Sequence, residues 1–218
     1  MKHLIIGIFG LTILLTSCKN VNQSNSSQTA DSLIDTLNSV KFGNDWFTPK
    51  TTFDFNSFID FQGDTLGIAT CAEYAYSPFG QINNKTELKS SKLSGFACID
   101  KVEKMENGEF EFQKLSLGSN RIILFFDNDP EASKSSYIFK GEIFDNNVVL
   151  ENDVKIGMTK KEFIDKFFDY FPVKLTNKYQ IIIFESCVQD IRHTYKFNND
   201  RLESVKFDSD SYWTVDYD

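Results

Sequence analysis

Short runs of strand-forming residues, each closed by a turn-forming triplet, limit the folds open to this chain more than any other feature. Leu93–Lys104, Glu109–Leu117 and Arg121–Asp127 read as extended segments, separated by Glu106-Asn107-Gly108 and Gly118-Ser119-Asn120. Ser136–Phe144 follows, ahead of Asp145-Asn146-Asn147. Gly, Asn and Asp adopt the backbone conformations that tight hairpins need, so this spacing predicts a mainly antiparallel sheet. Upstream, Thr51–Phe61 alternates Phe53 and Phe55 with polar residues, and Gln62-Gly63-Asp64 turns the chain into Thr65–Tyr76. Ser77 to Ser91 reads as a polar loop around Pro78 and Gly80. Before all of these, Leu33, Ile34, Leu37 and Val40 fall at helical spacing, which predicts a helix over Asp31–Phe42, capped by Asp31 and ended by Gly43.

The last third has a different pattern. Thr159 and Glu162 form a T-x-x-E capping box, in which hydroxyl and carboxylate each satisfy an orphan amide of the first helical turn. Phe163, Ile164, Phe167, Phe168 and Phe171 then make one apolar stripe, and Pro172 ends the helix. Three strands follow: Tyr179–Cys187, apolar on both faces as in a central strand; Ile191–Phe197, with one wet face; and Arg201–Phe207, reached through Asn198-Asn199-Asp200. The expected fold is α+β: mainly antiparallel β, with one well-capped amphipathic helix packed on a C-terminal three-stranded sheet. The expected divisions are residues 1–17, 18–30, 31–147 (β-rich) and 148–218 (helix plus sheet).

At Ile156-Gly157-Met158-Thr159-Lys160-Lys161-Glu162-Phe163 the chain resembles a repeat found in two kinds of protein. These are the outer-membrane assembly lipoproteins of the SmpA/OmlA type and the β-lactamase inhibitor protein. The resemblance covers residues 148–210 and implies a capped helix on a short antiparallel sheet, with protein binding as its use. The family usually places two helices before its strands, of which one is clear here. The N-terminal half carries no second copy of the motif.

The first twenty residues explain where such a module would sit. Lys2 supplies a positive start, Leu4–Leu15 an apolar run broken by Gly7 and Gly10, and Leu15-Thr16-Ser17-Cys18 a small-residue cleavage site. That order is a secretory signal, and the run is shorter than the about 20 residues that span a bilayer. The segment resembles a bacterial lipoprotein signal cut between Ser17 and Cys18. The resemblance implies acylation of Cys18 and a membrane partner reached through its acyl chains, since two or more chains anchor stably. Lys19 is not the Asp that, in lipoproteins, favours inner-membrane retention. This implies the outer membrane facing the periplasm, with the cell surface as the alternative. Lys19–Ala30 is too polar to bury area and reads as a tether of about 20 Å r.m.s. reach.

The formal charge of −8 becomes more negative once Lys2 is removed, and no basic cluster exists. Such a chain repels phosphate backbones, which excludes nucleic acid as a partner. The 22 Phe and 8 Tyr carry much of the core.

With Cys18 assigned, Cys71, Cys98 and Cys187 remain. Cys71 and Cys98 share one half of the chain and strand-like surroundings, so a Cys71–Cys98 disulfide is expected, against three buried free thiols as the alternative. If Val188-Gln189-Asp190 makes a hairpin turn, Glu185 lies opposite His193 and Cys187 opposite Ile191. A carboxylate beside an imidazole orients a general base, and a nearby thiol is a nucleophile. No second acid or oxyanion donor completes that set, and a plain cross-strand ion pair worth ~0.2–1 kcal/mol is the competing reading. Asp127-Asn128-Asp129-Pro130-Glu131 begins like a calcium loop, but Ala132 replaces its glycine and Ile138 its bidentate Glu. No metal, cofactor or catalytic residue is therefore assigned. The expected role is a non-enzymatic module that binds or scaffolds another envelope protein. Its alternatives are a surface inhibitor or ligand-binding lipoprotein, and a cysteine-dependent enzyme using Cys187 and His193.

Overall fold

The computed structural model describes residues 38–75, 77–105, 108–126, 136–187, 190–209 and 217, all within one compact unit of residues 34–218. Ser17, Cys18 and the tether lie outside the described residues, as do the calcium-like segment 127–131 and most of the acidic C-terminus.

Twelve described strands form two sheets. β1 (Val40–Phe42), β2 (Asp45–Pro49) and β9 (Phe168–Tyr170) make a small one. The other has nine strands: β3 (Phe55–Asp60), β4 (Thr65–Thr70), β5 (Ala97–Met105), β6 (Gly108–Leu117), β7 (Asn120–Phe126), β8 (Ser136–Ile143), β10 (Ile181–Ser186), β11 (Ile191–Asn198) and β12 (Arg201–Ser209). Their order across the sheet is β3-β4-β10-β11-β12-β8-β7-β6-β5. The pairs β5–β6 and β6–β7 meet where the two turn signals predict, β7 also pairs with β8, and all neighbours are antiparallel except β4 and β10. The fold is thus mostly β and mainly antiparallel, with few helices.

The boundary expected at 147/148 does not divide the sheet. β4 lies beside β10, and β8 lies beside β12, so strands from before that point flank the later ones on both sides. The expected three C-terminal strands are the centre of the nine.

Helix α2 (Lys160–Phe167) begins on the expected box: Thr159 Oγ1 accepts from the Glu162 amide at 3.2 Å, and Glu162 Oε2 accepts from the Thr159 amide at 2.7 Å. Its Phe163 and Phe167 bury against the sheet, with ring centroids 4.7 Å from Tyr195 and 4.8 Å from Phe184 respectively. The helix is shorter than expected. Phe168 takes extended φ/ψ of −128° and 140°, and Phe168 and Tyr170 pair with β2. The apolar stripe continues in strand form because Phe168 and Phe171 pack on Phe58 and Phe47 instead. A short helix α3 (Val173–Lys178) follows.

Two further expectations are corrected. Val40–Phe42 belongs to a hairpin with Asp45–Phe47, not to a helix, with Gly43 at φ 61° in the turn. The 77–91 segment holds a helical turn, α1 (Lys85–Leu88), because the Asn84 side chain accepts from the Thr86 and Glu87 amides. That is the usual N-cap bond.

Candidate functional site

The parallel pair β4/β10 organises the most distinctive part of the surface. Both strands end at the same level, Thr70 beside Ser186, so the next residues on each meet: Cys71 and Cys187 form a disulfide with a Cα–Cα distance of 5.2 Å. The backbone around it is pinned. Cys187 N–H donates to Thr70 O at 3.0 Å, and Cys71 N–H donates to Asp54 O at 2.9 Å. The buried Thr70 hydroxyl also donates to Asp54 O, at 2.8 Å.

This bridge replaces the expected Cys71–Cys98 pair. Cys98 is a free, exposed thiol on β5, and desolvation together with nearby Asp100 pushes its pKa up. Cys71 follows β4, the second strand from one end of the sheet, whereas Cys98 lies on β5, the last strand at the other end.

Beyond Cys71 the chain makes a single 3₁₀ turn, Glu73–Ala75, which drives Tyr74 into the core. The Tyr74 and Tyr195 hydroxyls are 2.6 Å apart, and the Tyr195 hydroxyl lies 3.4 Å from His193 Nδ1. All three groups are buried. Burial raises both phenol pKa values, and it pulls the imidazole down to about 3. At neutral pH the trio is uncharged, because a low-dielectric interior disfavours each ionised form.

Over Tyr74 opens a cleft of about 450 Å³, lined by Asp54, Cys71, Gln81, Glu151, Lys166 and Phe167 among others. Its far wall includes Asn152, which with the neighbouring Asp153 sits in the left-handed region at φ 57° and 55°. Asn and Asp tolerate this region, and Asn199 and Asp200 adopt it too in the turn between β11 and β12. The wall charges are of both signs: Glu151 pairs with Lys92 at 2.8 Å, and Lys166 approaches Asp153 at 3.8 Å. Such a surface suits a polar, hydrogen-bonding ligand.

The expected Glu185–Cys187–His193 grouping does not assemble. The observed register sets Glu185 opposite Arg192 and Phe184 opposite His193. Glu185 therefore lies on the outer face, where Arg192 donates from Nε at 2.9 Å and Nη2 at 2.6 Å. His193 lies on the inner face, T-stacked on Phe207 at 4.8 Å. Cys187 is bound in the disulfide, so neither the base nor the nucleophile of the cysteine-enzyme reading is available. The competing Glu185–His193 ion pair does not form either: Glu185 pairs with Arg192 instead.

Sequence reasoning missed Tyr74, Glu151 and Asn152. The Asn152-Asp153 dipeptide was the one readable signal, since Asn and Asp tolerate left-handed φ. Among the described residues, no group of three His, Cys, Asp or Glu side chains is placed to hold a metal ion, and no helix is long and apolar enough to cross a membrane. No protein-family model, curated protein or solved structure matches the chain.

Proposed function

We propose that this chain is a lipid-anchored envelope protein that holds a polar segment of another protein in the cleft beside the Cys71–Cys187 bridge. The bridge carries the reading. It is exposed at Cys187 and lines the cleft through Cys71, and such bonds persist in oxidising compartments outside the cytoplasm. That supports export by residues 1–17 and acylation of Cys18. The order of capped α2, short α3 and strands β10–β12 supports the module implied for residues 148–210, and with it a protein partner. The role assigned is binding, without cofactor, on the periplasmic face of the outer membrane.

Crosslinking in intact cells followed by affinity capture tests the cleft. An envelope protein captured by the wild type is expected to be lost from Asp54→Lys, which places the wrong charge on an exposed cleft wall. Equal capture by both would sink the cleft assignment. Radiolabelled palmitate is expected to enter the wild type and not Cys18→Ala; label retained in the variant refutes the anchor. Digestion by protease added to unlysed cells would move the protein to the cell surface.

A further inference from the structure

Strand β5 is the last strand of the nine, and among the described residues no strand pairs with its outer edge. The strand is exposed along most of its length, with Ile99 and Val102 keeping 64% and 56% of their surface in solvent. A long exposed edge presents a row of backbone donors and acceptors to another chain. The opposite edge is blunted. β3 has only six residues, and its pairing with β4 shifts register between Phe55 and Ser57, a bulge that hinders further pairing.

The charges along β5 say which chain fits. In an antiparallel pair, residues whose backbone groups face the partner must meet one another, so a two-fold axis between two copies of one strand passes through a residue. Through Asp100, Lys101, Glu103 or Lys104 the axis would set a charge against itself, and directly opposed like charges destabilise a pair. Through Val102 every charge meets its opposite: Asp100 faces Lys104, Lys101 faces Glu103, and Val102 faces its own copy. We propose that β5 joins two copies of this chain in that register, making one continuous sheet from two nine-stranded ones.

The present partners of these charges do not oppose the contact. Lys101–Glu103 is a 3.5 Å pair and Lys104–Glu109 a 3.3 Å pair, both at the surface, Glu103 also lies 3.9 Å from Lys114, and Asp100 is held by Lys85. Exposed pairs of this kind contribute little and exchange partners readily. An interface one strand wide lies below the roughly 1,200 Å² of stable complexes, so the dimer is a weak one.

The full chain, purified in non-ionic detergent, tests this with a short bis-maleimide. Cys98→Ser removes the exposed native thiol, and Val102→Cys places one thiol from each copy at the axis. Ser57→Cys on β3, in the same background, measures any reaction through Cys18 or through random collision. The Val102→Cys dimer is expected to exceed that control by about tenfold. Adding Lys101→Glu should return it to the control level, because like charges then face each other twice. Adding Glu103→Lys to that variant should restore the dimer, which also shows that the reversed chains fold. Crosslinking at Val102→Cys no greater than at Ser57→Cys overturns the proposal, as does crosslinking indifferent to Lys101→Glu.

Discussion

Lowering the pH from about 7 to about 5 is expected to cost the folded protein about 2 kcal/mol through a single side chain, His193. An unfolded imidazole titrates near 6.5, whereas burial holds this one down to about 3. Between those values the unfolded chain binds a proton that the folded chain refuses. Stability is therefore fully present above the unfolded pKa and falls with pH through the window from about 6.5 to about 3, at up to roughly 1.4 kcal/mol per pH unit. Among the described residues, the side chains in contact with His193 offer no compensating anion. The Tyr195 hydroxyl lies 3.4 Å away, and the rings of Phe207 and Tyr74 lie at 4.8 and 6.0 Å. The chain has only two histidines, and the other, His3, lies outside the described residues. The depressed carboxyls of Glu87, Glu162 and Glu203 act elsewhere: their contributions are lost only as pH falls below 4.5. Urea unfolding at pH 7, 6 and 5 measures the effect, with His193→Leu as the comparison. The wild-type midpoint should drop steadily while that of the variant stays level. A level wild-type curve, or an equal drop in the variant, would refute the account of the core.

The remaining predictions concern specific contacts. Replacing Cys71 and Cys187 together by Ser opens a loop with a sequence separation of 116; denaturant midpoints should show a loss of about 2–4 kcal/mol, matched by adding reductant to the wild type. Tyr195→Phe should cost more than Tyr74→Phe, because it deprives both the Tyr74 hydroxyl and His193 Nδ1 of a partner. In thermal or urea unfolding the double variant should cost less than the sum of the singles, since an unpaired buried group costs about 1–3 kcal/mol and a matched removal much less. Thr159→Ala removes one half of the capping box, and circular dichroism melts should report a loss of about 1 kcal/mol.

The sequence revealed local chemistry well and long-range partnership poorly. The β5–β6 and β6–β7 hairpins were readable because Gly108 and Gly118 take φ of 137° and 59° there, which is a local requirement of the backbone. The capping box was readable for the same reason. The Cys71–Cys187 bridge was not, because it depends on a parallel pairing between β4 and β10, and nothing near either cysteine encodes that neighbour. The Glu185–His193 alignment failed by a single residue of register, which in a strand moves a side chain to the other face. The alternation could not decide it, because Ile181 and Ile183 are as apolar as Ile182 and Phe184. Ile182 and Phe184 are the buried residues of β10, so they must share a face with His193 and Tyr195, leaving Glu185 outside. Phe168 defeated the helical period because a stripe of phenylalanines serves a strand equally well once the neighbouring rings outvote local propensity.

The interleaving of strands sets a last expectation about residues 148–218, which carry the recognisable helix-and-sheet pattern. Expressed alone, this segment would keep α2 and β10–β12, and the side chains of Phe163, Tyr195 and Phe197 would still find one another. It would lose β4 from one side of β10 and β8 from the other side of β12, exposing two strand edges at once. It would also lose Phe53 from beside Phe167 and Phe184, the Tyr74 hydroxyl from Tyr195, and the partner of Cys187. An unpaired edge invites association, and each lost aromatic packing partner leaves a cavity worth about 3–5 kcal/mol where a Phe is removed. Those losses together rival the whole stability of a domain, about 5–15 kcal/mol. The segment should therefore aggregate or remain unfolded, read as poor amide dispersion in a two-dimensional NMR spectrum. A well-dispersed, monomeric spectrum would mean that the C-terminal module folds independently and that the upstream strands are additions to it.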